Sequence, residues 1–175
     1  MQDILVVVDM QNDFIDGALG TPEAQAIVEK VAAKMQGFPG RILTTRDTHG
    51  PQYLDTQEGR LLPVEHCIQG THGWQLHPLV EAQRREAPVD KPVFGSAALG
   101  EMLREEDRER PIRSITLVGL CTDICIISNA LILRAFLPET EIIVDASCCA
   151  GVTPQSHHTA LQAMKACQVR IDNEQ

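Results

Sequence analysis

Near-continuous apolar runs that stop on a reactive side chain constrain this chain more than any other feature. Ile4-Leu5-Val6-Val7-Val8 closes on Asp9, and Ile115–Leu120 breaks into Cys121-Thr122-Asp123-Ile124-Cys125. Strands buried on both faces carry such runs in parallel sheets, whose sites lie beyond the carboxyl ends of the strands. An acid at one strand end and a thiol just past another are the raw material of a cysteine nucleophile with its own base. The pattern points to hydrolysis rather than to binding alone.

Strand and helix signals alternate along the chain. Candidate strands are Ile4–Asp9, Arg41–Arg46, Pro88–Lys91, Ile112–Gly119, Glu141–Ala146 and Gln168–Ile171. Candidate helices are Pro22–Gln36, Ala97–Glu106, Thr122–Phe136 and Pro154–Ala166. This order predicts βαβ units and an α/β fold: three α/β/α layers, Rossmann-like, around a mainly parallel sheet of about six strands. Thr21-Pro22 and Thr153-Pro154 each set a capping threonine before a proline at the first helical position. With 175 residues the chain suits one domain, expected over 1–175, and is too short to expect two. The segment Asp47–Trp74 stands apart. It is rich in Gly, Pro, His and Gln, shows no period, and reads as a long functional loop.

A formal net charge of −9 argues against nonspecific nucleic-acid binding, which needs clustered Lys and Arg. No apolar stretch approaches the roughly 18 residues that span a bilayer, and Met1-Gln2-Asp3 before a short apolar run does not read as an export signal. The cysteines Cys67, Cys121, Cys125, Cys148, Cys149 and Cys167 fit no disulfide framework. Free thiols in a cytoplasmic protein are expected, with neither membrane nor nucleic acid as partner.

Cys125 falls one turn into the helix that begins near Thr122. Backbone N–H groups there favour an anion, so a lowered thiol pKa is expected. Asp9 can take the proton, and Lys91, closing a short strand and held by Pro92, can stabilise the ion pair. Each residue alone has an ordinary explanation: a buried cysteine is usually a small hydrophobe, and a lysine before proline is usually solvated. Cys121 and Cys125 could also form a redox pair, although their spacing is not Cys-x-x-Cys. All three reactive residues on successive strand ends outweigh these readings.

In Val-Val-Asp9-Met-Gln-Asn-Asp-Phe, Asp-Lys91-Pro-Val-Phe-Gly-Ser-Ala and Gly-Leu-Cys-Thr-Asp-Ile-Cys125-Ile, the chain resembles the isochorismatase-like cysteine hydrolases, the nicotinamidases in particular. Asp145-Ala-Ser-Cys-Cys-Ala-Gly-Val-Thr-Pro and His157-His158 extend the resemblance over nearly the whole chain. It implies a catalytic triad of Asp9, Lys91 and Cys125 and a cis peptide between Leu120 and Cys121. It also implies an oxyanion hole from the backbone N–H groups of Cys121 and Cys125. Dimers or tetramers are expected on the same ground, with the apolar surface of Thr122–Phe136 as a contact.

Asp47 and His49 share one face if the strand continues, and His66 follows within the long loop. Two imidazoles and one carboxylate leave coordination positions open, as catalytic metal sites do. In nicotinamidases the matching residues bind a divalent metal, and Pro-x-x-His66-Cys-Ile-x-Gly-Thr matches their context. Zinc is the first expectation, manganese or iron the alternatives; His72 is a possible substitute ligand. Substrate contacts are expected from Phe14, Trp74 and Leu120, with Tyr53 as another ring face. The chain departs from nicotinamidases where Leu62-Pro63-Val64-Glu65 replaces a common aromatic position and Ser96-Ala97-Ala98 replaces Ser-Ala-Phe.

The leading expectation is a metal-assisted cysteine amidase converting nicotinamide and water to nicotinate and ammonia through a thioester. The alternatives are another small amide or ureido substrate, as in N-carbamoylsarcosine amidase-like enzymes, isochorismatase-like chemistry, and a non-catalytic thiol that senses redox state or binds.

Overall fold

Each central strand is a run of β-branched and aliphatic residues with both faces covered. The computed structural model describes residues 1–174. Its strands are β1 (Gln2–Val8), β2 (Arg41–Asp47), β3 (Val89–Lys91), β4 (Ile112–Leu120), β5 (Glu141–Ala150) and β6 (Arg170–Asp172). All pair parallel, in the order β3-β2-β1-β4-β5-β6. Chain order reverses between β1 and β4, the switch point where open α/β sheets hold their ligands.

The helices are α1 (Asn12–Ile15), α2 (Pro22–Gly37), α3 (Gln57–Leu61), α4 (Pro78–Glu81), α5 (Ala97–Glu109), α6 (Ile127–Phe136) and α7 (Pro154–Ala166). The alternation of side chains along β1 shows how they layer. Ile4, Val6 and Val8 pack with Leu99 and Leu103 of α5, Leu133 of α6 and Leu161 of α7. Leu5 and Val7 face the other way, against Ile27, Val31 and Met35 of α2. The predicted three-layer α/β/α architecture is therefore observed. Both predicted caps form: Thr21 Oγ1 accepts from Ala24 N at 3.0 Å, and Thr153 Oγ1 from Ser156 N at 3.0 Å. Among the described residues no helix is long and apolar enough to cross a membrane.

Three local departures matter. β5 runs four residues past the expected Ala146, with its pairing register to β4 shifting between Leu117 and Gly119. The predicted helix Thr122–Phe136 opens with a π-helical turn, Thr122–Ile126, in which Ile126 N donates to Cys121 O at 3.0 Å. Such turns recur at functional sites. The long loop is not structureless either: it holds a 3₁₀ turn, Tyr53–Asp55, and α3, capped by Thr56.

Behind the sheet's C-terminal half, buried Asp145 ties α2, β5 and the chain end together. Its carboxylate accepts from Lys34, from Ser147 Oγ at 2.8 Å and from Asn173 Nδ2 at 3.0 Å. Burial raises its pKa, but these donors outweigh burial and hold it below the ordinary carboxylate range. A carboxyl with a lowered folded-state pKa stabilises above its unfolded value and loses that contribution as pH falls through the folded one. Asp145→Asn is therefore expected to cost about 2 kcal/mol near neutral pH. The gap to the unsubstituted protein should close below about pH 4, which urea unfolding at several pH values would measure.

Candidate active site

Four strand ends deliver polar side chains to one place. Asp9 leaves β1 with φ of +49°, in the left-handed region that aspartate tolerates. Beside it Gly119 has φ of +119°, and an added Cβ there would lie 2.1 Å from Val8 O, so only glycine lets β4 approach β1 this closely. Asp9 Oδ1 accepts from Thr45 Oγ1 of β2 at 2.6 Å. Lys91 closes β3 with its Nζ 2.6 Å from Asp9 Oδ2, 3.5 Å from Cys125 Sγ and 3.5 Å from Asp47 Oδ1, and it donates to Val93 O at 3.1 Å. Cys125 sits in the π-helical turn just past β4. All three side chains are buried. The Leu120–Cys121 peptide is cis.

Buried Asn129 of α6 fixes this turn from behind. Its Nδ2 donates to Cys125 O at 2.8 Å and Phe94 O at 3.1 Å, while its Oδ1 accepts from Ser96 N at 3.0 Å. The loop after Lys91 and the turn bearing Cys125 are thus held by one amide.

The charges follow from the geometry. Burial lowers the Lys91 pKa, but Asp9, Cys125 and Asp47 outweigh it, so the ammonium keeps its proton. Burial raises the Asp9 carboxyl against the pull of Lys91. Burial also pushes the Cys125 thiol well above its ordinary value, with the Asp9 carboxylate adding to the rise and Lys91 opposing it. This reverses the expectation that the helix N-terminus lowers the Cys125 pKa. Complete burial beside a carboxylate outweighs a partial backbone dipole. The Cys125 sulfur thus lies beside the contact between Lys91 and Asp9.

A second cluster lies alongside. Asp47, His49 and His66 converge as expected, and Glu58 of α3 joins them, one ligand atom from each lying within 4.8 Å of the others. His49 Nε2 is 3.0 Å from Asp47 Oδ2 and 3.5 Å from Glu58 Oε1, and His66 Nε2 is 3.6 and 3.7 Å from the same two oxygens. Bonds of about 2.0–2.2 Å to one tetrahedral ion would set its ligands ~3.3–3.6 Å apart. Glu58 Oε1 is buried without a hydrogen-bond donor, and burial and Asp47 raise its carboxyl pKa. His66 Nδ1 donates to Val64 O at 2.8 Å, which leaves Nε2 free for a metal. The donor set fits a divalent ion.

An Isochorismatase domain model matches residues 3–175. The chain belongs to the isochorismatase family. A nicotinamidase/pyrazinamidase of Mycobacterium tuberculosis is 27% identical over 183 residues, 95% of this chain and 96% of the relative. A Bacillus subtilis nicotinamidase/pyrazinamidase structure superposes with a TM-score of 0.83 at 29% identity, over 99% of this chain and 100% of that one. A Pyrococcus horikoshii pyrazinamidase in complex with zinc gives 0.80 at 26% identity, over 98% of each chain.

This family member's two clusters open into a single cavity of about 520 Å³, whose lining includes Cys125, Cys121, Asp47, Glu58 and His66. Phe14 lines it too, its ring 5.5 Å from that of His66. The other expected substrate contacts do not. Trp74 is occupied elsewhere: its ring lies under the Arg46 guanidinium at 3.7 Å and its Nε1 donates to Thr48 Oγ1. The Leu120 side chain is core, packed on the α2 side of the sheet. Tyr53 is buried against His49 and donates to Leu62 O, so it shapes the candidate metal cluster rather than the cavity. His72 stays outside the cluster.

Sequence reasoning missed Glu58, Gln11, Asp13 and Asn129. Gln11 is fully buried; it donates to Asp47 O at 2.8 Å and Trp74 O at 2.9 Å and accepts from Asp47 N at 2.7 Å. Asp13 accepts from Cys67 N at 2.7 Å, immediately after His66. These residues clamp the long loop onto the end of β1.

Proposed function

We propose that this family member is a metal-dependent cysteine amidohydrolase acting on nicotinamide or a close neutral carboxamide, with 1–175 working as one catalytic domain. The observation that carries the reading is the sealed contact of Lys91 with both Asp9 and Cys125, at 2.6 and 3.5 Å. Asp9 takes the thiol proton as Cys125 attacks the carboxamide carbon, and Lys91 stabilises whichever partner holds the negative charge. The carbonyl oxygen becomes an oxyanion facing the backbone N–H groups of Cys121 and Cys125. As the C–N bond breaks, Asp9 returns the proton to the leaving ammonia. It then deprotonates a water, which hydrolyses the thioester to the carboxylate and restores the thiol.

A divalent ion held by Asp47, His49, Glu58 and His66 would supply a Lewis-acidic anchor for a ring nitrogen or its bridging water. Zinc is proposed, with manganese or iron as substitutes, because imidazoles and carboxylates suit all three. Glu58→Ala is expected to weaken zinc binding by at least ~100-fold, beyond the ~10–100-fold expected when Asp13→Ala merely loosens the His66 loop. Competition with a chromophoric chelator measures both. Equal, small losses would remove Glu58 from the ligand set.

Among the described residues no lysine or arginine lines the cavity. A carboxylate-bearing substrate, such as an N-carbamoyl amino acid or isochorismate, would find no side-chain counter-ion there, which favours a neutral amide. A redox-sensing role needs a resting thiolate, and the raised Cys125 pKa runs against it. The test is ammonia release from nicotinamide by metal-loaded protein beside N-carbamoylsarcosine. Release from nicotinamide alone supports the proposal. Folded, metal-loaded protein that leaves nicotinamide intact rejects that substrate.

A further inference from the structure

The cavity is larger and more apolar than a single-ring carboxamide requires. Its volume of about 520 Å³ falls in the ~300–1,000 Å³ range that encloses drug-sized ligands. Asp47, Glu58 and His66 line it on the side of the candidate metal cluster. Leu19, Leu61, Leu62, Val93, Phe94 and Val152 form an apolar sleeve on the remaining wall. Leu61 is 80% exposed, Val93 55%, Val152 48% and Phe94 42%. Apolar side chains this open, on three separate segments and all facing one mouth, form a patch that a bound partner covers.

We infer that the preferred substrate is a neutral carboxamide carrying an apolar substituent of several carbons, which lies in this sleeve while the carboxamide seats at Cys125. The inference rests on the amidase reading above and names the substrate class for the same site. Three features carry it. Phe14 and Phe94 are the aromatic side chains of the lining, and Leu61 and Leu62 make the wall aliphatic at the rim. The sleeve continues directly from the reacting sulfur, since Ile124 lines the wall beside Cys125. Thr21 and Gln57 are the uncharged polar side chains on the wall, so a polar or charged tail would exchange water for few partners.

The test compares nicotinamide with derivatives bearing methyl, ethyl and propyl groups on the ring carbon remote from both the carboxamide and the ring nitrogen. Each buried methylene is expected to raise kcat/KM about three- to fourfold. Leu61→Gln and Val152→Gln, at exposed positions that leave folding intact, should each cut the propyl-to-parent ratio by about fivefold. A ratio that falls with chain length overturns the inference. So does a ratio unmoved by either substitution while sedimentation shows a smaller assembly, because the rim is then a contact between copies of this chain. If no amide is turned over, the amidase reading fails by itself. The sleeve is then judged by calorimetry on metal-loaded Cys125→Ala. Affinity that rises with the alkyl chain supports the apolar subsite, and flat affinity overturns it.

Discussion

Cys125→Ala is expected to lower kcat/KM for the amide substrate by at least ~10⁴-fold while leaving the fold and the metal in place. On the proposed mechanism this substitution removes the covalent route entirely, with no neighbouring sulfur placed to replace it. Cys121 is the nearest in sequence, yet the Lys91 ammonium contacts the Cys125 sulfur, at 3.5 Å, and not that of Cys121. Burial and Asp47 raise the thiol of Cys67 as well, beside the candidate metal cluster. Cys125→Ser should fare little better, because an alcohol is a harder acid than a thiol for the same Asp9 to deprotonate. Steady-state ammonia release measures the loss, and mass spectrometry of acid-quenched protein should find the acyl adduct on unsubstituted protein alone. A Cys125→Ala protein with a tenth of normal turnover would end the cysteine mechanism.

Lys91→Met is the second large effect, and it falls on stability as well as activity. The Lys91 ammonium is the cation within 3.5 Å of both Asp9 and Asp47, and its side chain has no exposure. Removing it strands the Asp9 carboxylate in the interior, a cost of about 3–5 kcal/mol. For a chain of this length each kcal/mol lowers Tm by roughly 2–4 °C, so a drop of about 10 °C is expected. The pH dependence has a definite sign. Without Lys91 the Asp9 carboxyl, already raised by burial, rises further. A raised carboxyl destabilises above its folded pKa and is harmless below its unfolded one, so the deficit should shrink as pH falls. Asp9→Asn added to Lys91→Met should recover much of the lost stability and none of the activity. Scanning calorimetry on the unsubstituted protein, the two single variants and the double variant decides it; a Lys91→Met protein of unchanged Tm would mean the charge is not buried in solution.

The sheet was legible because parallel strands covered on both faces must be apolar throughout, and Ile4–Val8 and Ile115–Leu120 can be nothing else. Helices announced by Thr-Pro caps were equally plain. What stayed hidden depends on contacts distant in sequence. Glu58 was one of three acids between His49 and His66, with Asp55 and Glu65, and spacing does not choose among them. Gln11 looks like a turn residue until Asp47, 36 positions away, offers its main chain. The short helix α3 rests on the Thr56 cap rather than on a periodic face, so it left no pattern. An exposed Leu61 is also indistinguishable in sequence from a core leucine, which is why the cavity rim had to be seen folded. The lowered thiol pKa failed for a related reason: helix position is local information, and burial is not.

The strand order has a consequence during synthesis. β1 is the first strand made and ends in the middle of the sheet, with β2 on one edge and β4 on the other. Its second edge has no partner until residues 112–120 emerge, which at about 5–20 residues per second leaves roughly 4–15 s between completion of β2 and of β4. Throughout that interval a row of unpaired amides and carbonyls flanks Ile4–Val8, an invitation to pairing with a neighbouring nascent chain. The centre of the sheet, its most protected strand once folded, is therefore the segment most in need of shelter at the ribosome.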